Sequence, residues 1–356
     1  MVTLTKTDLP NEWRIDDALL HLRAWGTGIR YPLPPATEGG EWTIGSADDC
    51  WLQLRDPSGR VSRHHASLKY TKERWALHDL DSKNGICQDG AHQVNFRLAP
   101  GTEIGIGGIT LVAESALLVA LRELLERLLG WSDARRPDVE LALRAVRMAA
   151  TRRESLLLCG DGNMVSVAQL LHKHTHGDAR PFIVCDPRRR SAQPNARAAA
   201  NYDSGPDALA AAAGGTLCIW QSRLPDDFAR VFAAIREPTS RAQLVVCTHA
   251  MQQGTVGTPI ILPPLVERIA ERDRIIDAYA VDAVAELAGV FTAEDRAWVR
   301  KNESATLPDI ERAVRRLAVI RSARGDLTAA ASRLAMSYSA LFEWVARRTL
   351  PDVSGD

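Results

Sequence analysis

The stretch GDGNMVSV (160–167) stands between the apolar run SLLLC and the helical pattern VAQLLHKH. In such a strand, loop and helix order, the loop amides at a helix N-terminus can cradle a phosphate. A nucleotide-binding loop of the form G-x-x-x-x-G-K-[ST] adds a lysine for the phosphates and a hydroxyl for magnesium. Here the lysine position is Ser166, the glycine before it is Val165 and the hydroxyl position is Val167. Positive charge and backbone freedom are both missing, because a β-branched residue resists the φ values open to glycine. Just downstream, HKHTH places His172 and His176 one helical turn apart, the spacing of two metal ligands. With no third ligand in view, the pair reads as a solvated helix end and no metal is expected. DPRRR (186–190) reads as a solvated turn.

The elements that must position these residues fall into three textures. From about Trp13 to Ala113, short alternating runs such as EWTIGSADDC, HASLKY and EIGIGGITLVAE are broken by Gly, Pro, Asn and Asp, which predicts a β-sandwich. From Ser115, SALLVALRELLERLLGW places Leu117, Leu121, Leu124 and Leu128 on one helical stripe. That helix either packs on its neighbours or forms a dimerising coiled coil. From Ser132 to Gly289 the apolar runs SLLLCG, PFIVCD, GTLCIW and QLVVCTH alternate with helical stretches, the pattern of a parallel sheet covered on both faces. Beyond it the chain is helical, and Arg296, Arg300, Lys301, Arg312, Arg315, Arg316, Arg321, Arg324, Arg333, Arg347 and Arg348 outnumber the acids among them.

Composition bounds the answer. A chain of 356 residues, 46% of them hydrophobic, can bury more than one core. Lys+Arg and Asp+Glu are 44 each, so bulk charge makes no polyanion binder and any nucleic-acid surface must be local. The six cysteines occur singly and read as small buried hydrophobes of a reducing compartment. There is no basic-then-apolar leader and no apolar run of the roughly 18–20 residues that span a bilayer, so a cytoplasmic protein without membrane contact is expected.

TIGS (43–46), GRVSRHHA (59–66) and DLDSKNG (79–85), in that order, resemble a forkhead-associated (FHA) domain, a sandwich that binds phosphothreonine peptides in the loops at one end. The resemblance implies that Ser62 donates its hydroxyl to the phosphate, that Asn84 hydrogen-bonds the peptide backbone or the residues after the phosphothreonine and that Arg60 supplies charge. A dianionic phosphate is held best by such charge-assisted donors. The arginine usual after the first glycine of the family is replaced by Ser46; Arg60, Arg63 and Lys83 are the candidates to compensate. His65 and Gly85 read as residues that shape the loops. A sandwich kept only for docking is the alternative.

The middle region resembles the AAA+ module of the bacterial activators that remodel sigma-54 polymerase, through the order of SLLLCGDGNMVSVAQLLHKHT, RPFIVCD, AAGGTLCIW, QLVVCTH and IILPPLVER. At the positions of the metal-organising Asp and catalytic Glu stand Trp220 and Gln221, with His249 at the polar sensor position. The GAFTGA loop is missing, the stretch between Thr248 and Pro259 has no arginine-bearing helix, and Pro308 in ESATLPDI takes the place of the sensor arginine. Phosphoryl transfer rests on such charges, so the resemblance implies a frame with no ATP hydrolysis, no catalytic residue and no cofactor.

Finally, GDLTAAASRLAMSYSALFEWVARR (325–348) has small residues at Ala330 and Ala331, a turn near Met336–Ser337 and Leu341 and Val345 directed inward, which suits a helix-turn-helix. It resembles the Fis-type DNA-binding domain. By that resemblance Ser337, Tyr338, Ser339 and Ala340 face the groove, Glu343 and Trp344 stand where the family has basic residues, and Arg347 and Arg348, with Arg321, Arg324 and Arg333, supply attraction to DNA. A helical pair for packing or dimerisation is the alternative. The expected architecture is multi-domain: an all-β FHA sandwich over 14–114, a linker helix over 115–131, an α/β P-loop NTPase-like (AAA+) sheet without catalytic residues over 132–289, a helical lid-like segment over 290–320 and an all-α helix-turn-helix over 321–350. The expected function is a phospho-responsive transcriptional regulator, not an enzyme. Its expected partners are a phosphothreonine-bearing protein (a Ser/Thr kinase or its substrate), DNA and a second copy of the chain. The alternative is an FHA adaptor in a Ser/Thr kinase pathway that does not bind DNA.

Overall fold

The computed structural model describes residues 18–152, 154–194, 199–251, 257–302 and 305–352. Residues 14–17 of the expected first domain, 252–256 of the stretch after Thr248 and 303–304 of ESATLPDI therefore lie outside the described residues. The chain divides into two compact units, one formed by the described residues up to Leu124 with Arg136–Arg147, the other by Leu125–Arg135 with the chain from Met148 onward.

In the first unit, short runs bounded by turn residues become eleven strands: β1 (Leu19–Ala24), β2 (Arg30–Pro32), β3 (Gly40–Gly45), β4 (Leu52–Gln53), β5 (Ala66–Thr71), β6 (Arg74–Asp79), β7 (Ile86–Gln88), β8 (Ala91–Gln93), β9 (Asn95–Arg97), β10 (Glu103–Ile106) and β11 (Ile109–Ser115). They form two sheets, ordered β2-β1-β11-β10-β7-β8 and β4-β3-β5-β6-β9. Period-two alternation drives the assembly, with every second residue of β10 buried. Leu22, Ile44, Leu68, Leu77, Ile86, Ile104 and Leu111 are wholly enclosed in one core. Helices α1 (Ala116–Leu129) and α2 (Arg136–Arg152) follow. Of the expected stripe, Leu121, Leu124 and Leu128 of α1 are buried and Leu117 is half-buried.

A charged cluster also lies inside this unit. Arg23 donates through both terminal nitrogens to Glu140 on α2, at 2.5 and 2.8 Å, and through Nε to Glu114 at 2.7 Å. His21 meets the other oxygen of Glu114 at 2.8 Å. Burial works against the ionised Glu114, but Arg23 and then Arg122 outweigh it, and its pKa falls below the ordinary glutamate value.

In the second unit β12 (Leu156–Cys159), α3 (Met164–Thr175), β13 (Phe182–Cys185), β14 (Ala200–Tyr202), α4 (Gly205–Ala211), β15 (Thr216–Trp220), α5 (Phe228–Arg236), β16 (Gln243–Thr248) and β17 (Thr258–Ile261) alternate. The sheet is ordered β14-β13-β15-β16-β12-β17 and all its pairs are parallel. One face, through Leu157, Ile183, Leu217, Ile219, Leu244 and Val246, packs on Ala208 of α4 and on Val231 and Ile235 of α5. The intervening residues are buried too, which explains the continuous apolar runs. Five helices complete the unit: α6 (Arg272–Leu287), α7 (Ala293–Asn302), α8 (Leu307–Ser322), α9 (Leu327–Arg333) and α10 (Tyr338–Ala346). Among the described residues no helix is long and apolar enough to cross a membrane.

The helix end carrying His172 and His176 differs from expectation, for both rings are buried. His172 bonds Thr216 Oγ1 at 2.8 Å and the Arg180 carbonyl at 3.1 Å, and His176 bonds Gln243 Oε1 at 3.0 Å. They fasten α3 to the N-terminal ends of the central strands β15 and β16. The expected solvated turn at DPRRR is likewise built on a buried residue, Asp186, which accepts from Arg223 at 2.7 Å.

Candidate functional site

Three loops at one end of the sandwich meet around Ser62: 46–51 after β3, 54–65 before β5 and 80–85 before β7. Backbone bonds join the first two, with the Ser46 and Ala47 N–H groups donating to the carbonyls of Ser62 and Arg63, each at 3.0 Å. Gly45 is required there, because a Cβ on it would stand 2.1 Å from the Arg63 carbonyl oxygen. His65, wholly buried, is the pin. Its Nδ1 accepts the Ser62 N–H at 2.9 Å, which leaves Nε2 as the donor towards the Gly85 carbonyl and Ser82 Oγ, each at 3.0 Å. Asn84 Nδ2 donates to the Arg60 carbonyl at 2.7 Å, and the Lys83 N–H donates to Ser62 Oγ at 3.1 Å.

The expected residues are thus brought together. The Ser62 hydroxyl accepts from Lys83 and keeps its own proton to donate outward. Ser46, Arg60, Arg63, Lys83 and Asn84 are exposed around it. The Asp49 carboxylate lies within electrostatic reach of Arg63, and Arg60 Nε donates to Ser58 Oγ at 3.0 Å, which limits its freedom. One organiser escaped the sequence reading. Asp56 accepts from the Ser58 hydroxyl and from the N–H groups of Ser58, Arg60 and Gly108. With the Ser58 hydroxyl contributing most, these bonds hold its pKa down at about 2. Its signal was DPSG (56–59), an Asx-turn sequence.

The loop after β12 is built differently. Ser166 Oγ, at the missing lysine's position, donates to the Asn163 carbonyl at 2.7 Å, so it caps its own turn. Met164 is buried against Gly160, and a Cβ on Gly162 would lie 2.6 Å from Thr306 Oγ1. Trp220 packs on His249, ring centroids 4.7 Å apart, and His249 Nδ1 meets the Gly160 carbonyl at 3.2 Å. These side chains bond and stack with one another and with the loop itself.

At the C-terminal helix pair, Ser337 caps α10 by accepting the Ala340 N–H at 3.3 Å and its hydroxyl lies 3.2 Å from Ser339 Oγ; Tyr338 and Ser339 are exposed. Leu341 is buried as expected, but its buried companion is Trp344 and not Val345. Trp344 lies between the guanidinium groups of Arg316 and Arg348, each about 5 Å from its ring, and is edge-on to Trp298. Arg321, expected to attract DNA, instead binds the fully buried Asp295 through two bonds of 2.8 and 2.9 Å. Arg347 pairs with Glu343 and Arg333 donates to Ser322 Oγ. Most of the arginine excess is therefore engaged within the chain, with Arg296, Arg300, Arg312 and Arg315 also paired to acids.

The comparisons with known proteins concern the sandwich. The FHA domain family matches residues 42–107. Among solved structures, the FhaA FHA domain complexed with the intracellular domain of Rv3910 is 30% identical, covering 26% of this chain and 94% of that one at a TM-score of 0.23. EmbR of Mycobacterium tuberculosis, in complex with a low-affinity phosphopeptide, is 27% identical and covers 28% of this chain and 24% of that one at 0.25. The N-terminal FHA domain of Rad53p from S. cerevisiae, with a phosphothreonine peptide, is 20% identical, covering 28% and 94% at 0.25. No curated protein matches the chain. Three ordered loop motifs, their mutual bracing and the family match converge on one statement: residues 42–107 of this chain are an FHA domain.

Proposed function

We propose that the chain is a phospho-responsive regulator whose FHA domain docks a phosphothreonine-bearing partner, a Ser/Thr kinase or its substrate, and whose α/β unit transmits that docking without hydrolysing ATP. The observation that carries this reading is the Ser62 hydroxyl, fixed by the Lys83 N–H and ringed by the exposed Arg60, Arg63 and Lys83. FHA domains bind phosphothreonine peptides. The test is fluorescence anisotropy with matched phosphothreonine and plain peptide libraries. The parent prefers the phosphorylated set, and Ser62→Ala lowers that affinity by about 1.5–3 kcal/mol, roughly tenfold or more. Equal binding of both sets defeats the proposal.

For output, the capped α10 after a tight turn supports contact with DNA through Tyr338 and Ser339. A second reading, an adaptor that docks protein only, is favoured by a different observation. Tyr338 and Phe342 stack on the exposed face of α10, ring centroids 5.8 Å apart, and Arg347 beside them is matched by Glu343. Salt-dependent binding to mixed genomic fragments separates the two. A DNA reader binds at low salt and weakens in Arg347→Ala/Arg348→Ala; an adaptor shows no binding at all.

A further inference from the structure

On the same unit as the phosphopeptide loops, but not among their expected contacts, lie three side chains of different chemistry. Asp49 and Cys50 end the loop after β3, and His64 directly precedes the buried His65. The His64 Nε2 meets both Asp49 oxygens, at 2.9 and 3.0 Å. Cys50 is buried beneath them, its thiol donating to the Arg63 carbonyl at 3.3 Å. The thiol sulfur, an imidazole nitrogen and a carboxylate oxygen all lie within 4.8 Å of one another, and among the described residues no other group of three such ligands does so.

We propose that Asp49, Cys50 and His64 bind one thiophilic divalent cation, zinc fitting best, with three protein ligands and a fourth position open to solvent. Sulfur, nitrogen and oxygen donors in a tetrahedral arrangement are the set zinc takes, whereas magnesium and calcium call for oxygen alone. As an ordinary surface ion pair, His64 and Asp49 would contribute little, since both are well exposed. The buried thiol is what distinguishes the cluster. The loop is held in place by the Ala47 N–H bond to the Arg63 carbonyl and by the Cys50 N–H bond to the Ala47 carbonyl at 3.3 Å, so Cys50 and His64 are placed before any ion arrives. The exposed Asp49 and His64 leave an entry path. Binding of the cation releases the Cys50 thiol proton to solvent, while His64 coordinates through Nε2 as the neutral imidazole with its remaining ring proton on Nδ1. The site stands on ligand geometry alone and does not depend on phosphothreonine binding.

The test uses the full chain, stripped with a chelator and titrated with cobalt(II) as the spectroscopic probe. One equivalent binds, with a near-ultraviolet thiolate-to-cobalt band and visible bands of tetrahedral coordination, and zinc displaces it. Cys50→Ser abolishes the thiolate band. His64→Ala and Asp49→Asn, both at exposed positions that the fold does not need, each weaken uptake by more than about tenfold. Cys87→Ser is the control, because Cys87 Sγ lies 3.6 Å from His92 Nδ1 and forms the rival thiol-imidazole pair. No uptake at submillimolar cobalt, unchanged affinity in both His64→Ala and Asp49→Asn, or a band lost in Cys87→Ser but kept in Cys50→Ser overturns the proposal.

Discussion

The loops around Ser62 and the loop after β12 both lie beside strand ends, where a fold can present groups to a phosphate, yet their polar side chains go opposite ways. At the sandwich, neutral residues brace the loops from below: His65, Asn84 and Ser82 take the backbone bonds, and the cations are left outside. At the α/β unit, Ser166, Trp220 and His249 bond or stack with one another and with the loop itself. Residue types alone do not make a phosphate site. What decides is whether other side chains have already met the needs of the backbone, leaving donors to spare.

The same contrast holds for buried charge, and breaking it gives the largest effects. In the sandwich unit, Glu114→Ala leaves Arg23 buried with half its partners. It lowers stability by about 3–5 kcal/mol, measured as a shift of the denaturant midpoint. A midpoint within experimental error of the parent would show that the cluster is not holding α2 to the sandwich. The folded pKa of Glu114 is depressed, so its contribution is full above the ordinary glutamate value and fades as the pH falls through that value towards the folded one.

The α/β unit loses stability in the same direction of pH in a higher window, but there burial keeps the neutral form where the sandwich keeps the charged one. Burial, and then the neighbouring His176, lower the pKa of His172 from 6.5 to about 4. The unfolded chain therefore binds the proton first. Stability is full above pH 6.5 and declines as the pH falls from 6.5 towards 4, by on the order of 3 kcal/mol. His172→Gln, which can still bond Thr216, flattens melting temperature against pH over that window. A variant as acid-sensitive as the parent would assign the loss to other groups.

Much of this was legible in the sequence, for physical reasons that differ by region. Alternation over β3, β5, β6 and β10 marks half-buried strands, and the continuous runs at β12, β13, β15 and β16 mark a sheet covered on both faces, so patterning alone carried both classes. The Ser62 cluster was readable because its residues sit in three short loops whose order is fixed by the sandwich. Long-range partners were not readable. Nothing local to HKHTH says that Thr216 and Gln243 wait at the starts of the two central strands, and nothing near Arg321 says that Asp295, twenty-six positions earlier, will bind it. Trp344 misled because a helical pattern cannot say which of two adjacent apolar residues turns inward, and here two guanidinium groups cover the larger ring.

The missing arginine at Ser46 offers a gain-of-function test. Ser46 is exposed, and its backbone N–H is already committed to Ser62. A longer side chain can therefore be added without disturbing the brace. Ser46→Arg raises affinity for phosphothreonine peptides by about 1.5–3 kcal/mol and leaves binding of plain peptides unchanged. An equal rise for both would mean that the new charge acts on the peptide in general and that the loops do not aim it at a phosphate.

The smallest effect expected is at the loop after β12, where it should be close to nothing. Millimolar ATP with magnesium stabilises the chain by less than about 0.4 kcal/mol if its dissociation constant is no tighter than the concentration used, a shift of roughly a degree in melting temperature. Restoring one charge with Ser166→Lys does not change this. Trp220 and Gln221 supply no carboxylate, Val165 lacks the backbone freedom of a glycine, and His249 lies on the Gly160 carbonyl. A charged nucleotide gains its binding from several groups acting together, so a single lysine beside an aromatic pair has nothing to cooperate with. A magnesium-dependent rise of several degrees in the parent would show instead that Trp220 and His249 open to admit the nucleotide, and the contrast between the two loops would vanish.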